Sequence, residues 1–314
     1  KLKKYDKKQK YTDEILWRIY WKGYLENYKS IWFEYINFKE NSNNSYLISS
    51  AMNGKTGIDC FDTWIEELRE NNYLHNHSRM WFASIWIFTL GLPWQTGARL
   101  FMKHLLDGDA SSNTLSWRWV AGMHTNKKPY LASKENIDKY TVNRFRNTPI
   151  SISNKINNIK NSQHPSNKLP VQRKFPSSNV LVMFDNDMNI MNRSKLFNSY
   201  SKVYILHNVV INNEFNLSEK VSQFKKGLID KINKLIPNSE VFKSTDIGIY
   251  LRGHSHIDVI YPGVGHNLDL INKFANQNQI ITNYIYREED LKYWNYANSG
   301  FYKFKSSFYK INMI

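Results

Sequence analysis

Opposite charges and large rings fall close together in one stretch of this 314-residue sequence, in the order Arg79, Trp94, Asp107, Asp109, Asn113, Trp117, Trp119. A guanidinium and a carboxylate can lock into an ion pair that also orients a polar ligand. Taken alone, such a pair reads equally well as a structural salt bridge, and Asn113 as a helix cap. Ten Trp and twenty Tyr are many; such rings fill cores, but they also stack on bases and pass electrons. His254, His256 and His266 invite a metal reading. His-x-His plus a distant His lacks an evident carboxylate partner, so loop histidines near a sheet edge are the preferred reading.

The elements that must carry these residues differ between the two halves. From Tyr11 to about Tyr140 the pattern is helical, beginning with Ile15, Tyr20, Tyr24, Tyr28 and Trp32 at spacings of four and five. Helices are predicted to end near Asn71–Asn72, to run from about His75 to Leu90 before Gly91-Leu92-Pro93, and to run from Gln95 to Leu106 before Asp107-Gly108-Asp109. The stretch 149–178, rich in Asn, Ser, Lys and Pro, reads as a linker between a domain at 1–148 and one at 179–314. Beyond it, the apolar runs starting at Val180, Val203 and Ile257 are of strand type, and a helix capped by Ser218 lies between the last two. That alternation predicts a small, doubly wound parallel sheet of the Rossmann-like α/β class.

Composition narrows the partners. A content of 41% hydrophobic and 15% aromatic residues describes a globular chain. The net charge of +16 points to an anionic partner, nucleic acid before membrane, although Lys, Asn, Ile and Tyr are abundant throughout and weaken that signal. Cys60 is the only cysteine, so no internal disulfide can form and a reducing, cytoplasmic compartment is expected. No apolar run reaches the ~18 residues that a bilayer span requires. The opening KLKKYDKKQK contains neither a signal peptide nor an initiating Met, so the sequence reads as a fragment.

The block Tyr73–Gly122 contains, in order, H-N-x-x-R-M, D-G-D and N-x-x-x-W-x-W. GKTGIDCFD (Gly54–Asp62) precedes it and EILWR (Glu14–Arg18) precedes that. Together these resemble the flavin-binding core of the DNA photolyase/cryptochrome family over roughly residues 11–145. The second element departs slightly, with Ile58 and Cys60 flanking the place where Pro is usual. The resemblance implies a helical FAD-binding domain, N-terminally truncated, with FAD as cofactor. It assigns Arg18, Arg79, Asp107, Asp109 and Asn113 to the flavin, with Arg79 and Asp107 as an ion pair at its N5/O4 edge. It assigns Glu14, Asn76, Met80, Trp17 and Trp119 to a cavity that receives a flipped pyrimidine dimer. Trp117 and Trp94 match the first two members of the family's electron relay; the third falls near Asn41, where there is no Trp, and Trp32 or Tyr46 could substitute.

The implied activity is light-driven repair of pyrimidine dimers in DNA, a carbon–carbon lyase reaction carried out by a monomer. A cryptochrome-like blue-light photoreceptor and a non-catalytic nucleic-acid-binding remnant are the rival readings. The family's phosphate-binding loop and antenna domain have no counterpart before Glu14, which is the reason to expect truncation. The C-terminal half is expected to be an α/β module, either a relocated antenna-like domain or a docking module.

Overall fold

The computed structural model describes residues 7–40, 44–124, 128–145, 164–172, 176–190, 193–212 and 215–312. The chain forms two compact units. One combines the N-terminal helix α1 (Lys7–Asn27) with the chain from Pro165 onward, and the other is Ser30–His164. This division differs from the expected boundary at 148, because α1 groups with the C-terminal half. Residues 149–163 and 173–175 of the expected linker lie outside the described residues.

The Ser30–His164 unit is helical: α2 (Ser30–Ile36), α3 (Ser45–Met52), α4 (Asp59–Asn71), α5 (Asn76–Ser84), α6 (Trp94–His104), α7 (Ala110–Val120) and α8 (Lys134–Tyr140). The single helix expected from His75 to Leu90 is in fact α5 followed by a π-helical turn, Ile85–Thr89, in which Leu90 N–H bonds to Ile85 O at 2.9 Å. Trp81 to Phe88 are buried without interruption, so this segment has no polar face from which periodicity could be read. Its rings interlock: Phe61 stacks on Phe82 at 4.3 Å, and Trp64 on Trp81 at 5.8 Å. In the GKTGIDCFD element, Asp62 accepts from Thr56 Oγ1 at 2.6 Å and from Gly57 N at 2.9 Å, which closes the loop onto the start of α4.

The other unit is built on an all-parallel sheet. Its elements after α1 are β1 (Val180–Phe184), α9 (Ser194–Asn198), β2 (Lys202–His207), a small hairpin β3 (Val210–Asn212) and β4 (Phe215–Asn216), α10 (Glu219–Asn233), β5 (Ser239–Lys243), α11 (Ile247–Leu251), β6 (His256–Ile260), α12 (His266–Gln277), β7 (Ile281–Ile285), α13 (Glu288–Trp294) and α14 (Phe301–Asn312). Strand order is β5-β2-β1-β6-β7, the doubly wound order, with its reversal between β1 and β6. Alternate residues of β1 serve opposite faces. Val180, Val182 and Phe184 pack with Leu251, Ile271 and Phe274 of α11 and α12, while Leu181 and Met183 pack with Phe197 and Ile229 of α9 and α10. A β1 buried on both faces reads as a continuous apolar run, as the sequence does. Within β6, Asp258 is fully buried and accepts from Ser177 N at 2.8 Å, Tyr200 Oη at 2.7 Å and Asn283 Nδ2 at 3.0 Å.

Helix α1 belongs to this unit for clear reasons. Gly23 lies so close to α13 that a Cβ there would sit 2.7 Å from Ala297 Cβ and 2.8 Å from Trp294 Cδ1. Asn27 Nδ2 donates to Trp294 O at 2.8 Å. The buried Glu26 accepts from Tyr261 Oη at 2.9 Å and Val264 N at 3.0 Å, in the loop after β6. Burial pushes its carboxyl up, against the opposing charge of Lys29.

Candidate functional site

The helical unit places Arg79, Asp107, Asp109 and Asn113 on one short run of connected structure. Asn72 ends α4 in the left-handed conformation at φ 54°, sharply redirecting the chain. Its Nδ2 donates to His104 O at 2.7 Å, and its carbonyl accepts from Leu106 N at 3.0 Å. The loop before α5 is thereby tied to the turn after α6. Arg79 Nε donates to Leu74 O at 2.8 Å, which aims the guanidinium across that junction. Arg79 Nη1 then meets Asp107 Oδ2 at 3.0 Å. Both side chains are partly open, 22% and 40% exposed, so the pair can be reached by a ligand.

Two residues on, Asp109 caps α7 by accepting from Ser112 N at 2.8 Å. Asn113 follows one turn later, and its Nδ2 donates to Ala98 O at 2.7 Å, joining α7 to α6. That bond uses one amide proton, so part of the group expected to face a flavin is engaged with backbone. Along α7, Ser112 Oγ, Thr114 Oγ1 and Trp117 Nε1 are buried, and among the described residues no hydrogen-bond partner reaches them. Such atoms are costly to bury unless something satisfies them. The guanidinium of Arg79 and the carboxylate of Asp107, both partly open, suit the polar edge of a bound flavin, and in that respect the residues present fit FAD. Nothing in the sequence singled out Ser112 or Thr114, because a hydroxyl in a helix carries no periodic signal.

The relay residues are buried. Trp117 lies edge-on to Phe82, Trp86 and Phe101, and packs so tightly against α6 that a Cβ on Gly97 would sit 2.3 Å from its Cη2. Trp94 stacks on Tyr35 at 5.5 Å, and Tyr35 lies 5.4 Å from Trp32. Asn41, the expected third position, lies outside the described residues. Tyr46 is 80% exposed.

The expected lesion contacts divide between the units. Asn76 begins α5 and is exposed, Met80 is half-buried one turn later, and Trp119 is half-buried and stacked on Tyr130 at 5.6 Å. Glu14, Trp17 and Arg18 are on α1, in the other unit. Glu14 and Arg18 are exposed. Trp17 was expected to offer an open ring face; instead its ring lies parallel to Phe301 of α14 at 3.6 Å, so one face is already covered. The cause is the docking of α1 on the C-terminal helices, which no local pattern announces.

Comparison with known proteins relates part of the chain to one family. Residues 11–160 match the family described as the FAD binding domain of DNA photolyase. The deoxyribodipyrimidine photo-lyase of Buchnera aphidicola is 31% identical over 127 residues, covering 39% of this chain and 27% of that protein. The Escherichia coli photo-lyase is 29% identical over 129 residues, 38% of this chain and 27% of its own length. The mitochondrial photo-lyase of Saccharomyces cerevisiae is 33% identical over 129 residues, 39% and 23% respectively. The chain thus spans about a quarter of the length of these relatives. Residues 11–160 belong to the photolyase/cryptochrome family, in the domain whose cofactor is FAD.

Proposed function

We propose that the protein is a flavoprotein of DNA repair that splits pyrimidine dimers by light-driven electron transfer. The observation that carries this reading is the partly open Arg79–Asp107 pair at the turn leading into α7. When bound, FAD supplies the light-absorbing electron donor. Arg79 places positive charge at the ring's polar edge, and Asp107 holds the guanidinium in position. Asp109 and Asn113 orient the pyrimidine and N5 sides, and the family resemblance also assigns Arg18 to the cofactor. Trp119, with Asn76 and Met80, gives an extruded base an aromatic and amide surface, and base–aromatic stacking contributes ~1–3 kcal/mol per base. The family resemblance also assigns Glu14 and Trp17 to the lesion, with the Glu14 carboxylate accepting from its imide edge. The partner is DNA, met by a monomer. Among the described residues no helix is long and apolar enough to cross a membrane.

The test is illuminated repair of a thymine-dimer oligonucleotide by the complete reading frame. Repair is expected, and Glu14→Ala should keep its flavin spectrum while losing most of its repair yield. A flavin-loaded protein that photoreduces without splitting dimers would favour a light sensor. Purification without flavin would favour a nucleic-acid-binding remnant. An unchanged yield in Glu14→Ala would remove the lesion-contact assignment.

A further inference from the structure

The sheet of the α/β unit carries a polar row that the flavin reading leaves unused. Asp185 directly follows β1, and its side chain is fully buried. His207 ends the neighbouring strand β2 and is also buried. Its Nδ1 stands 3.4 Å from Asp185 Oδ2, and its Nε2 stands 3.2 Å from Ser222 Oγ. Ser222 lies near the start of α10, half-buried. Carboxylate, imidazole and hydroxyl therefore stand in sequence at the carboxyl ends of parallel strands, the edge at which open α/β sheets place their chemistry.

A purely structural account explains only part of this. The Asp185 charge is already met by Lys225 Nζ at 3.4 Å and by the amide of Asn267 at 3.5 Å. Burial opposes ionisation of that carboxyl, but the neighbouring His207 and the charge of Lys225 outweigh it and hold it below its usual range. In the tautomer with its proton on Nδ1, towards the carboxylate, the Nε2 of His207 is the acceptor that faces Ser222. The group it faces is the hydroxyl of half-buried Ser222. A shielded base aimed at a hydroxyl is the arrangement that activates a serine. The 3.4 Å carboxylate–imidazole separation is long for a hydrogen bond, as such contacts often are before substrate binds.

We propose that Asp185, His207 and Ser222 form an activated-serine site that cleaves a carboxylic ester, separate from the flavin chemistry. Ser222 Oγ bonds to the ester carbonyl carbon as its proton passes to His207 Nε2, and the carbonyl electron pair moves onto oxygen. When that pair returns, the bond to the alcohol breaks, and the alcohol leaves with the proton from Nε2. Water then repeats the sequence on acyl-Ser222, releasing the carboxylic acid and the free hydroxyl. Asp185 stabilises the imidazolium in both halves. The amino end of α10 adds the positive pole of its helix dipole beside Oγ.

The experiment treats the full chain with a fluorophosphonate probe, maps the adduct by peptide mass, and follows p-nitrophenyl acetate hydrolysis. One adduct on Ser222 is expected, absent in Ser222→Ala, with ester turnover falling at least tenfold. His207→Gln should slow labelling by at least tenfold. Because the buried imidazole also packs the sheet, the unmutated chain gives an independent reading: its Ser222 should take the probe at least tenfold faster than its other serines. The absence of an adduct on Ser222 in cooperatively melting protein, or labelling of Ser222 no faster than that of the other serines, overturns the proposal.

Discussion

Replacing Gly97 by Ala probes how closely α6 must approach the indole of Trp117. A Cβ at position 97 would lie 2.3, 2.6 and 3.1 Å from Trp117 Cη2, Cζ3 and Cζ2. Carbon atoms rest at about 3.5–4.0 Å, so the nearest contact is short by more than about 1 Å. The indole cannot easily yield: it is 2% exposed and boxed by Phe82, Trp86 and Phe101. Overpacking of a rigid core costs about 1–3 kcal/mol and occasionally more. A rigid ring so close puts this case at the upper end, while the better helix propensity of Ala returns about 1 kcal/mol. The net is a loss of ~2 kcal/mol, or roughly 5–10 °C in the Tm of the helical unit. Thermal melts followed by far-UV circular dichroism give the shift, and near-UV spectra report the displaced indole. A variant that melts at or above the unmutated protein would refute the packing argument.

The same logic applies on α1, where Gly23→Ala would press on Ala297 and Trp294 and should cost about 1–3 kcal/mol, read as a lower midpoint in urea. Burial lowers His124 to about 4, with the charge of Arg118 adding to the effect. Above the unfolded value of about 6.5 the imidazole is neutral in both states, and it costs nothing. As pH falls from about 6.5 towards 4, the unfolded chain takes up a proton that the folded chain refuses, so stability should drop by roughly 1.4 kcal/mol per pH unit for this group. His104, lowered to about 4 chiefly by burial, acts in the same direction. Denaturation titrated against pH should show this slope, and His124→Gln should reduce it by about one proton. Arg79→Gln breaks a partly exposed pair and should shift stability by only ~0–1 kcal/mol, while flavin titration should show at least about tenfold weaker binding. Equal flavin affinity would remove Arg79 from the site.

Much of the helical unit was legible from the residues. Asn72 stops α4 because a left-handed cap is tolerated there, whereas the start of α7 lies at Asp109, which caps it through the Ser112 amide, and not at Asn113. The apolar runs of β1, β2 and β6 announced a buried parallel sheet, and Ser218 its following helix. The interruption of the helix at Ile85 was hidden, because an all-buried segment shows no face. The engagement of Asn113 with Ala98 O and the stacking of Tyr35 on Trp94 depend on side chains that meet only when helices pack.

Local chemistry in the sequence by itself determined the starts of β1, β2, β6 and α10, which residue types stand at the D-G-D turn, and that the C-terminal half winds as a parallel sheet. Only the tertiary structure decided that α1 joins that half, that Trp17 spends a ring face on Phe301, and that Asp185, His207 and Ser222 converge. The reason is range. Caps, turns and periodicity act over a few residues, whereas these contacts span up to 284 residues of chain and are set by which surfaces bury each other.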